Sequence, residues 1–476
     1  MRRQYKVLFA SLLLLQGIAL GEVVELDLSK AIDLALENNI QMQNAKEELI
    51  KAKAQKKEAF SSALPVVSAF GQASHNFSIA SQPALFPFAA GLIDANGEPI
   101  PMDGNVPARD PAGNLIPGAF LQGFGFQFVP IEMAFGNDNT MVYGLNLTQP
   151  LFEGRVIAAI RGAGALSDLT NYSTEVTRLS VIEKTKQAFY GVLLADKMIE
   201  VFEHSLTVLN QNLDNVKALY DQGKTAEFDV IRAEVQVANQ TTMVSNARKM
   251  KELAYAGLKR NCGIDLEDEI SAVGELQVEV QSDLDLVDLE ARLMANQPLL
   301  NQLEASVRLM KENILMVRAE FMPSIALTGS YQQMLPYNDG EFESAEFRES
   351  SSLAIGFNLP IFNGFGSTAR IQLAKAEHRK TEYQLYDVKE NLLLELQSIY
   401  LSIQESSRKI EAGQKGVEQA RKGVDMAQRL YKQGMASQLQ VMDAQSASDQ
   451  AELGLYQAYF EYNNARASLA RALGEE

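Results

Sequence analysis

Cysteine, histidine and tryptophan are scarce in this chain of 476 residues. It contains one cysteine, Cys262, three histidines and no tryptophan. A single cysteine cannot form an internal disulfide bond, and His75, His204 and His378 are not spaced like the ligands of a metal site. No glycine-rich phosphate loop is present either. We therefore expect a protein that is not an enzyme and that needs no cofactor and no metal.

Long apolar segments are confined to the N-terminal region. Residues 2–6 include three basic side chains, an apolar run follows them, and small residues near Gly21 fit a signal-peptidase site. We interpret residues 1–21 as a signal peptide. The sequence after it contains no segment of the length and apolarity that a membrane-spanning helix needs, so a crossing of a membrane would have to use β-strands.

Basic residues are too few to balance the acidic ones. The chain has 43 lysines and arginines against 60 aspartates and glutamates, and its net charge is −17. Loss of the predicted signal peptide, which carries only basic charges, would make the balance more acidic. Such a surface repels the phosphates of nucleic acid, so we expect no nucleic-acid partner.

The sequence contains two related halves. The segment YDQGKTAEFDVIRAEV from Tyr220 is repeated as YKQGMASQLQVMDAQS from Tyr431, and the same offset of 211 residues aligns Gly263 with Gly474. The segment GLNLTQPLFEG at 144–154 likewise returns as GFNLPIFNGFG. We interpret the chain as a tandem duplication. The predicted division is a first repeat at 22–263, a linker at 264–286 with a short strand at 275–280, and a second repeat at 287–476.

Each half contains the pattern of a strand pair. Apolar residues alternate with small or polar ones along 141–148 and 352–359, and this period of two is typical of a β-strand. A partner strand of about ten residues follows Pro65 and another follows Pro323, and a tilted strand of that length crosses a membrane. An ordinary hairpin of a soluble domain is the alternative, but the sequence offers no second sheet to cover the apolar side chains. We expect a membrane-crossing strand pair in each half, the second at 323–360.

The connection between the two strands of the first half is long. The segment 81–139 holds eight of the fourteen prolines and includes the turn-forming sequences DANGEPI and DPAGNLI. We expect a large loop over these residues. The equivalent connection in the second half, near 339–349, is short and acidic.

Very long helices are predicted to follow the strands. A proline-free stretch of more than sixty residues, rich in Ala, Leu, Glu, Gln and Lys, leads to Tyr220 in the first half and to Tyr431 in the second. This composition favours helix, and such a helix would be roughly 100 Å long. Turns at Gly223 and Gly434 would then reverse the chain. We expect two helical hairpins of coiled-coil character, at 155–260 and 366–474, because an apolar stripe of that length must be buried against other long helices.

The ordered set of these features resembles the TolC family of outer membrane efflux proteins. The resemblance includes the leader, the opening LDLSKAIDLALENN at 26–39, strands that end in an F-x-G turn, and a Y-x-x-G turn between long helices. It implies a mainly α fold with a membrane β-barrel portion, arranged as a trimeric channel-tunnel with four strands and two long helical hairpins per chain. The implied location is the outer membrane, with a large periplasmic portion. The implied function is the exit duct of a tripartite efflux pump or type I secretion system, docked to a periplasmic adaptor and an inner-membrane transporter.

The strand count independently requires more than one chain. Four strands cannot close a barrel, and an open sheet edge in lipid would leave backbone groups unpaired. A homotrimer supplies twelve strands, which is within the range of even-numbered barrels embedded in outer membrane lipid.

The resemblance also assigns residues to the periplasmic aperture. In the family, acidic residues six and nine positions after the second turn glycine form rings at the channel mouth, and Gln440 and Asp443 occupy those positions here. The first-half residue that corresponds to Gln440 is Asp229. Tyr431 is similar to a tyrosine that, in the family, contacts this aspartate in the closed state. A basic residue of the family is replaced by Ala436, which implies a weaker or different closed-state latch.

Helix capping is the alternative interpretation of these polar residues. Ser437 and Gln440 have the spacing of a capping box, and Asp229 and Asp443 would lie in the opening turns of helices, where the helix dipole favours a carboxylate.

The adaptor is expected to dock at the tips of the helical hairpins, around Tyr220, Gly223 and Gly434. Two other classes of protein compete with the channel: a periplasmic coiled-coil adaptor and a scaffold protein without a channel. An adaptor would have one hairpin flanked by compact β domains, and a scaffold would not need alternating strands at matching points of both halves. The sequence does not identify the exported substrate.

Overall fold

The computed structural model describes residues 24–79, 81–89, 126–134, 136–277, 280 and 284–476. These residues form two compact units. Of the described residues, the helical unit contains those up to Ser61 and those within Gly154–Met322 and Pro360–Glu476, and the strand unit contains those within Ser62–Glu153 and Pro323–Leu359. The predicted signal peptide at 1–21 lies outside the described residues.

The helical unit contains two series of helices with matching lengths. The first series has 11, 22, 68 and 36 residues, and the second has 11, 21, 67 and 36 residues. The first series comprises α1 (Leu28–Asn38), α2 (Ile40–Ser61), α3 (Gly154–Asp221) and α4 (Glu227–Cys262). The second comprises α5 (Leu286–Asn296), α6 (Pro298–Arg318), α7 (Gly366–Lys432) and α8 (Gln438–Leu473).

The long helices α3 and α7 lie where the proline-free stretches predicted them. In the helical unit α4 packs against α3, α3 packs against α8, and α8 packs against α7. The helices α4 and α7 therefore lie at the two ends of this row. Among the described residues, no helix combines the length and apolarity that a membrane crossing requires.

Glycine ends both α4 and α8. Gly263 has a φ of 67° and Gly474 has a φ of 74°, so both adopt the left-handed conformation. A Cβ atom added at Gly263 would lie 2.7 Å from the carbonyl oxygen of Asn38, and one added at Gly474 would lie 2.5 Å from that of Asn296. Glycine is therefore required at both positions for conformation and for space.

The core of the helical unit includes two short parallel strands. The strand β1 (Val24–Leu26) pairs with β6 (Ile270–Ala272), and Leu26, Phe189 and Tyr459 are almost completely buried in this core. The prediction of a short strand at 275–280 is wrong for the residues described there, because 275–277 and 280 belong to no strand. The strand forms at Ile270–Ala272, where the chain pairs with the three residues of β1, and not at the segment where apolar and polar side chains alternate.

The strand unit contains an antiparallel four-stranded sheet with the order β2–β5–β7–β8. Its strands are β2 (Val66–His75), β5 (Asn139–Glu153), β7 (Ser324–Tyr337) and β8 (Arg348–Asn358). They have 10, 15, 14 and 11 residues, so each has the length predicted for a membrane-crossing strand. The pair from the first half joins the pair from the second through β5 and β7.

The prediction of a loop over 81–139 is wrong at several places. An antiparallel strand pair forms from β3 (Ser81–Ala89) and β4 (Phe126–Ala134), and β5 already begins at Asn139. Prolines made this segment look irregular, since proline cannot donate to a strand ladder. A two-stranded ribbon has an open side on each strand, so it tolerates prolines that a central strand would exclude. Residues 90–125 of the predicted loop lie outside the described residues.

Candidate functional site: the helical turns and the two-faced sheet

The turns that end α3 and α7 have the same geometry. Gly223 and Gly434 adopt left-handed conformations, with φ of 70° and 72°. The backbone N–H of Gly223 donates to the carbonyl of Tyr220 at 2.8 Å, and that of Gly434 donates to the carbonyl of Tyr431 at 2.9 Å. The next N–H in each turn bonds to the carbonyl five residues earlier, which completes a Schellman motif. The repeated Y-x-x-G sequence therefore specifies a helix end.

Both turns present apolar side chains to solvent. Tyr220 is 43% exposed, Phe228 is 62% exposed, and Met435 is 66% exposed. Leu439, which aligns with Phe228 at the offset of 211 residues, is 42% exposed. Exposed apolar side chains at corresponding points of both turns are a feature of a binding surface.

The start of α8 has a complete capping box. The hydroxyl of Ser437 accepts from the N–H of Gln440, and the side-chain oxygen of Gln440 accepts from the N–H of Ser437 at 2.8 Å. The capping interpretation of this pair is confirmed. In the first half, Ala226 provides no side-chain cap, and Thr225 donates its hydroxyl to the Asp229 carboxylate at 2.8 Å.

Asp443 lies one turn further into α8 than the capping alternative requires. The helix begins at Gln438, and its first turn contains no acidic residue. Asp443 is exposed and makes no hydrogen bond or ion pair within the described part of the chain. The placement of Asp443 in the opening turn is therefore wrong, since the favourable dipole decays beyond the first turn. Asp229 does lie in the first turn of α4, as predicted.

Tyr431 and Asp229 are not joined in the single chain. Tyr431 lies half-buried in the last turn of α7, and within the described residues its hydroxyl makes no hydrogen bond to Asp229. The Asp229 carboxylate instead accepts a hydrogen bond from the Thr225 hydroxyl. Ala436 lies between the end of α7 and the cap of α8, so no charged side chain occupies this position.

One face of the four-stranded sheet is mainly polar, with Val66, Phe70, Val142 and Met334 as its apolar members. A lateral row crosses all four strands, in which Ser68 lies opposite Asn146, Asn146 opposite Ser330, and Ser330 opposite Ser352. The hydroxyl oxygens of Ser330 and Ser352 lie 2.8 Å apart. This face can form hydrogen bonds with water or with a polar solute.

The opposite face is apolar and exposed. Leu353 is 72% exposed, Ile355 is 69% exposed, and Phe357 is 66% exposed. At one end of this face the ring of Tyr143 contacts that of Phe347, with 5.7 Å between the ring centroids. An apolar band that ends in aromatic side chains matches the requirements of a lipid-facing sheet.

The sheet has two free edges. The edge strands are β2 and β8, and every residue of β8 is exposed. In the described residues, the outward backbone groups of these two strands have no strand partner. Unpaired N–H and C=O groups are costly in hydrocarbon, so this sheet by itself is not a complete membrane structure.

The structure offers no metal or thiol site in the described part of the chain. No group of three or more His, Cys, Asp or Glu side chains there could hold a metal ion. Cys262 is fully buried, and burial raises the pKa of its thiol to about 11. A thiol in that state is unreactive.

The sequence is similar to a family of efflux proteins. Residues 117–263 and 290–475 match the family model described as outer membrane efflux protein. The alkaline protease secretion protein AprF of Pseudomonas aeruginosa is 23% identical over 264 residues, which cover 55% of this chain and 54% of AprF. The alignment with this curated relative therefore spans about half of its length.

Solved structures resemble nearly the whole chain. A membrane protein of Pseudomonas aeruginosa has a TM-score of 0.73 at 18% identity, and 95% of this chain covers 91% of that one. The outer membrane protein VceC of Vibrio cholerae has a TM-score of 0.70 at 15% identity, with 94% of this chain and 96% of VceC covered. These similarities show a shared fold. Because the family model matches well over half of the chain, the protein belongs to the outer membrane efflux protein family and is a protein of the outer membrane with a large periplasmic portion.

Proposed function

We propose that the protein is the outer membrane exit duct of a tripartite efflux pump or a type I secretion system. It conducts substrates passively from the periplasm or cytoplasm to the outside. The observation that supports this function most strongly is the four-stranded sheet with one polar face, one apolar face and two free edges, in a chain of this family. A periplasmic adaptor or scaffold has no use for such a sheet.

The free edges support a homotrimer. If β8 of one copy pairs with β2 of the next, three copies close a barrel of twelve strands and leave no edge in lipid. The apolar faces then contact outer membrane lipid, and the polar faces line the interior. Closed cyclic symmetry is the usual way to satisfy identical edges.

Apolar stripes on the outer helices α4 and α7 also support assembly. These helices lie at the ends of the row within one chain, where each exposes large apolar side chains along one face. The exposed residues on α4 are Phe228, Ile231, Val235, Met243, Met250 and Leu253, and those on α7 are Leu373, Tyr383, Tyr386, Leu394, Leu401 and Met426. Contact between α4 of one copy and the half of α7 that leads to its turn in the next copy would bury the α4 stripe together with Leu401 and Met426.

A periplasmic adaptor and an inner-membrane transporter complete the proposed assembly. The adaptor docks at the turns around Tyr220, Gly223 and Gly434, which expose apolar side chains in both halves. The family description supports efflux, and the name of AprF supports protein secretion. Both kinds of system need the same passive conduit.

The periplasmic aperture is proposed to include Asp229, Gln440, Asp443 and Tyr431. Threefold symmetry would bring three copies of each to one axis. Asp443 is the most available of these side chains, because it is exposed and unpaired in the described chain, whereas Gln440 is held in the capping box.

Conductance in planar bilayers tests the function. Purified protein should insert as discrete pores of uniform conductance. Complete absence of conductance from a folded, membrane-extracted protein would favour the scaffold alternative.

The segment 81–139 is proposed to face the outside of the cell, because it connects two strands whose other ends lead to the periplasmic helices. A tag near Gly104 should therefore bind antibody on intact cells. Labelling only after permeabilisation would reverse the topology.

A further inference from the structure

The sheet is nearly free of charge in a chain that is strongly acidic overall. The chain has 60 acidic and 43 basic residues. Along the four strands the charged side chains are restricted to strand ends, namely Glu153 at the end of β5 and Arg348 and Glu349 at the start of β8. The histidine His75 is likewise the last residue of β2.

The polar side chains of the sheet are mainly hydroxyl and amide groups. The row of Ser68, Asn146, Ser330 and Ser352 contributes one such side chain from each strand. Adjacent positions on the same face add Gln72, Thr148, Thr328, Gln332 and Ser350. The small residues Gly144 and Ala354 lie among them, and the charged Arg348 lies at the end of this face, opposite Met334.

We infer that the strand-lined section of the duct, between the charged residues at the strand ends, is an electrically neutral passage that accepts solutes of either charge sign. This inference rests on the proposed function, because it requires the polar faces of three copies to line one interior. Fixed charges along a narrow wall create potentials of several kT, whereas hydroxyl and amide groups exchange hydrogen bonds with water without attracting one sign of ion. Selection by charge is then left to the helical part of the protein.

Cysteine labelling measures the potential on the polar face. Ser330→Cys is made in the full chain and assembled in lipid vesicles, and its rates of modification by a cationic and an anionic methanethiosulfonate reagent are compared with those of a free thiol. The native Cys262 does not interfere, because it is fully buried and its thiol pKa is raised to about 11. Ser352→Cys is a second probe on the same row. Ile355→Cys is the matched control on the apolar face.

The expected result is that both reagents modify Ser330→Cys and Ser352→Cys at a ratio within about twofold of the free-thiol ratio, while Ile355→Cys is protected by lipid. A cationic reagent favoured by more than about tenfold would reveal a negative potential and overturn the neutral passage. Modification of Ile355→Cys alone, in pores that still conduct, would overturn the assignment of the polar face to the interior. Vesicles of the unmodified protein that do not conduct would reject the proposed function itself.

Discussion

Arg232 and Asp443 occupy equivalent positions in the two halves of the chain and carry opposite charges. Each lies nine residues after its turn glycine, in the second turn of the helix that follows. The Arg232 guanidinium lies 4.6 Å from the centroid of the Phe228 ring, whereas Asp443 is exposed and unpaired in the described chain. If both helices reach the same aperture, one level of it holds alternating charges.

Removal of the Asp443 charge should alter ion selectivity. We expect Asp443→Asn to lower cation preference and weaken block by multivalent cations in bilayer recordings, because three carboxylates near one axis attract cations. Arg232→Gln should shift selectivity in the opposite direction. The free energy of unfolding should change by no more than about 0.5 kcal/mol for Asp443→Asn, since no partner is lost. Unchanged selectivity in well-folded trimers of both variants would move the constriction elsewhere, with Asp229 as the next candidate.

The exposed apolar side chains of the turns should be needed for adaptor docking. Gly223 and Gly434 are poor targets, because a side chain in their left-handed conformation costs about 1–2 kcal/mol. We expect the double variant Met435→Glu, Leu439→Glu to lose co-purification of the adaptor from the native envelope while trimer yield is unchanged. Val287→Glu is a matched control, since Val287 is 72% exposed and lies at the start of α5. Retained adaptor in the double variant would place docking at another surface.

Gly144 should be essential for the sheet, whereas Gly71 should not. A Cβ atom added at Gly144 would lie 2.3 Å from the carbonyl oxygen of Tyr331, but one added at Gly71 would lie 3.9 Å from its nearest neighbour. Gly144→Ala should cost about 1–3 kcal/mol because backbone must move. Gly71→Ala should change stability by less than about 0.5 kcal/mol. Thermal dissociation of the purified assembly measures both, and equal midpoints for the two variants would contradict the close approach of β5 and β7.

Glu320 should make the helical unit sensitive to acid. Its carboxylate accepts hydrogen bonds from the Arg370 guanidinium at 2.9 Å and from the Ser367 hydroxyl at 2.6 Å. Chiefly the bond from Arg370, and next that from Ser367, hold the pKa of Glu320 below its ordinary value of 4.5. The stabilisation is therefore present above pH 4.5 and is lost as pH falls through the lower pKa of the folded state.

The variant Glu320→Gln isolates this contribution. It should melt at a lower temperature than the unmodified protein at pH 7, and the difference should shrink as the pH falls below 4.5. A difference in melting temperature that is the same at every pH would show that the Glu320 carboxylate charge does not stabilise the helical unit.

The long helices and the strands of the four-stranded sheet could be predicted from the sequence, because each has a sustained local pattern. Alternation over ten residues specifies a strand, and sixty proline-free residues specify a helix. The pairing of β1 with β6 could not be predicted, since three residues have no measurable period and the partners are far apart in the chain. The strands β3 and β4 could not be predicted, because they contain Pro83, Pro87 and Pro130, and proline usually indicates irregular structure.

The candidate aperture was only partly predictable for a different reason. Local spacing was sufficient for the capping box of Ser437 and Gln440, because its partners are three residues apart. The proposed role of Asp443 requires copies of the chain to meet at an axis, and no pattern within one chain encodes the distance between such copies. The exposure of Asp443 required the structure, whereas the opposite charge at Arg232 follows from the offset of 211 residues.

The mass of the detergent-extracted protein tests the central claim most directly. Because β2 and β8 are unpaired edges, the account predicts a membrane-extracted particle that contains three chains, as measured by light scattering with correction for bound detergent. A monodisperse single chain that stays in solution without detergent would contradict the shared barrel and the exit duct built on it.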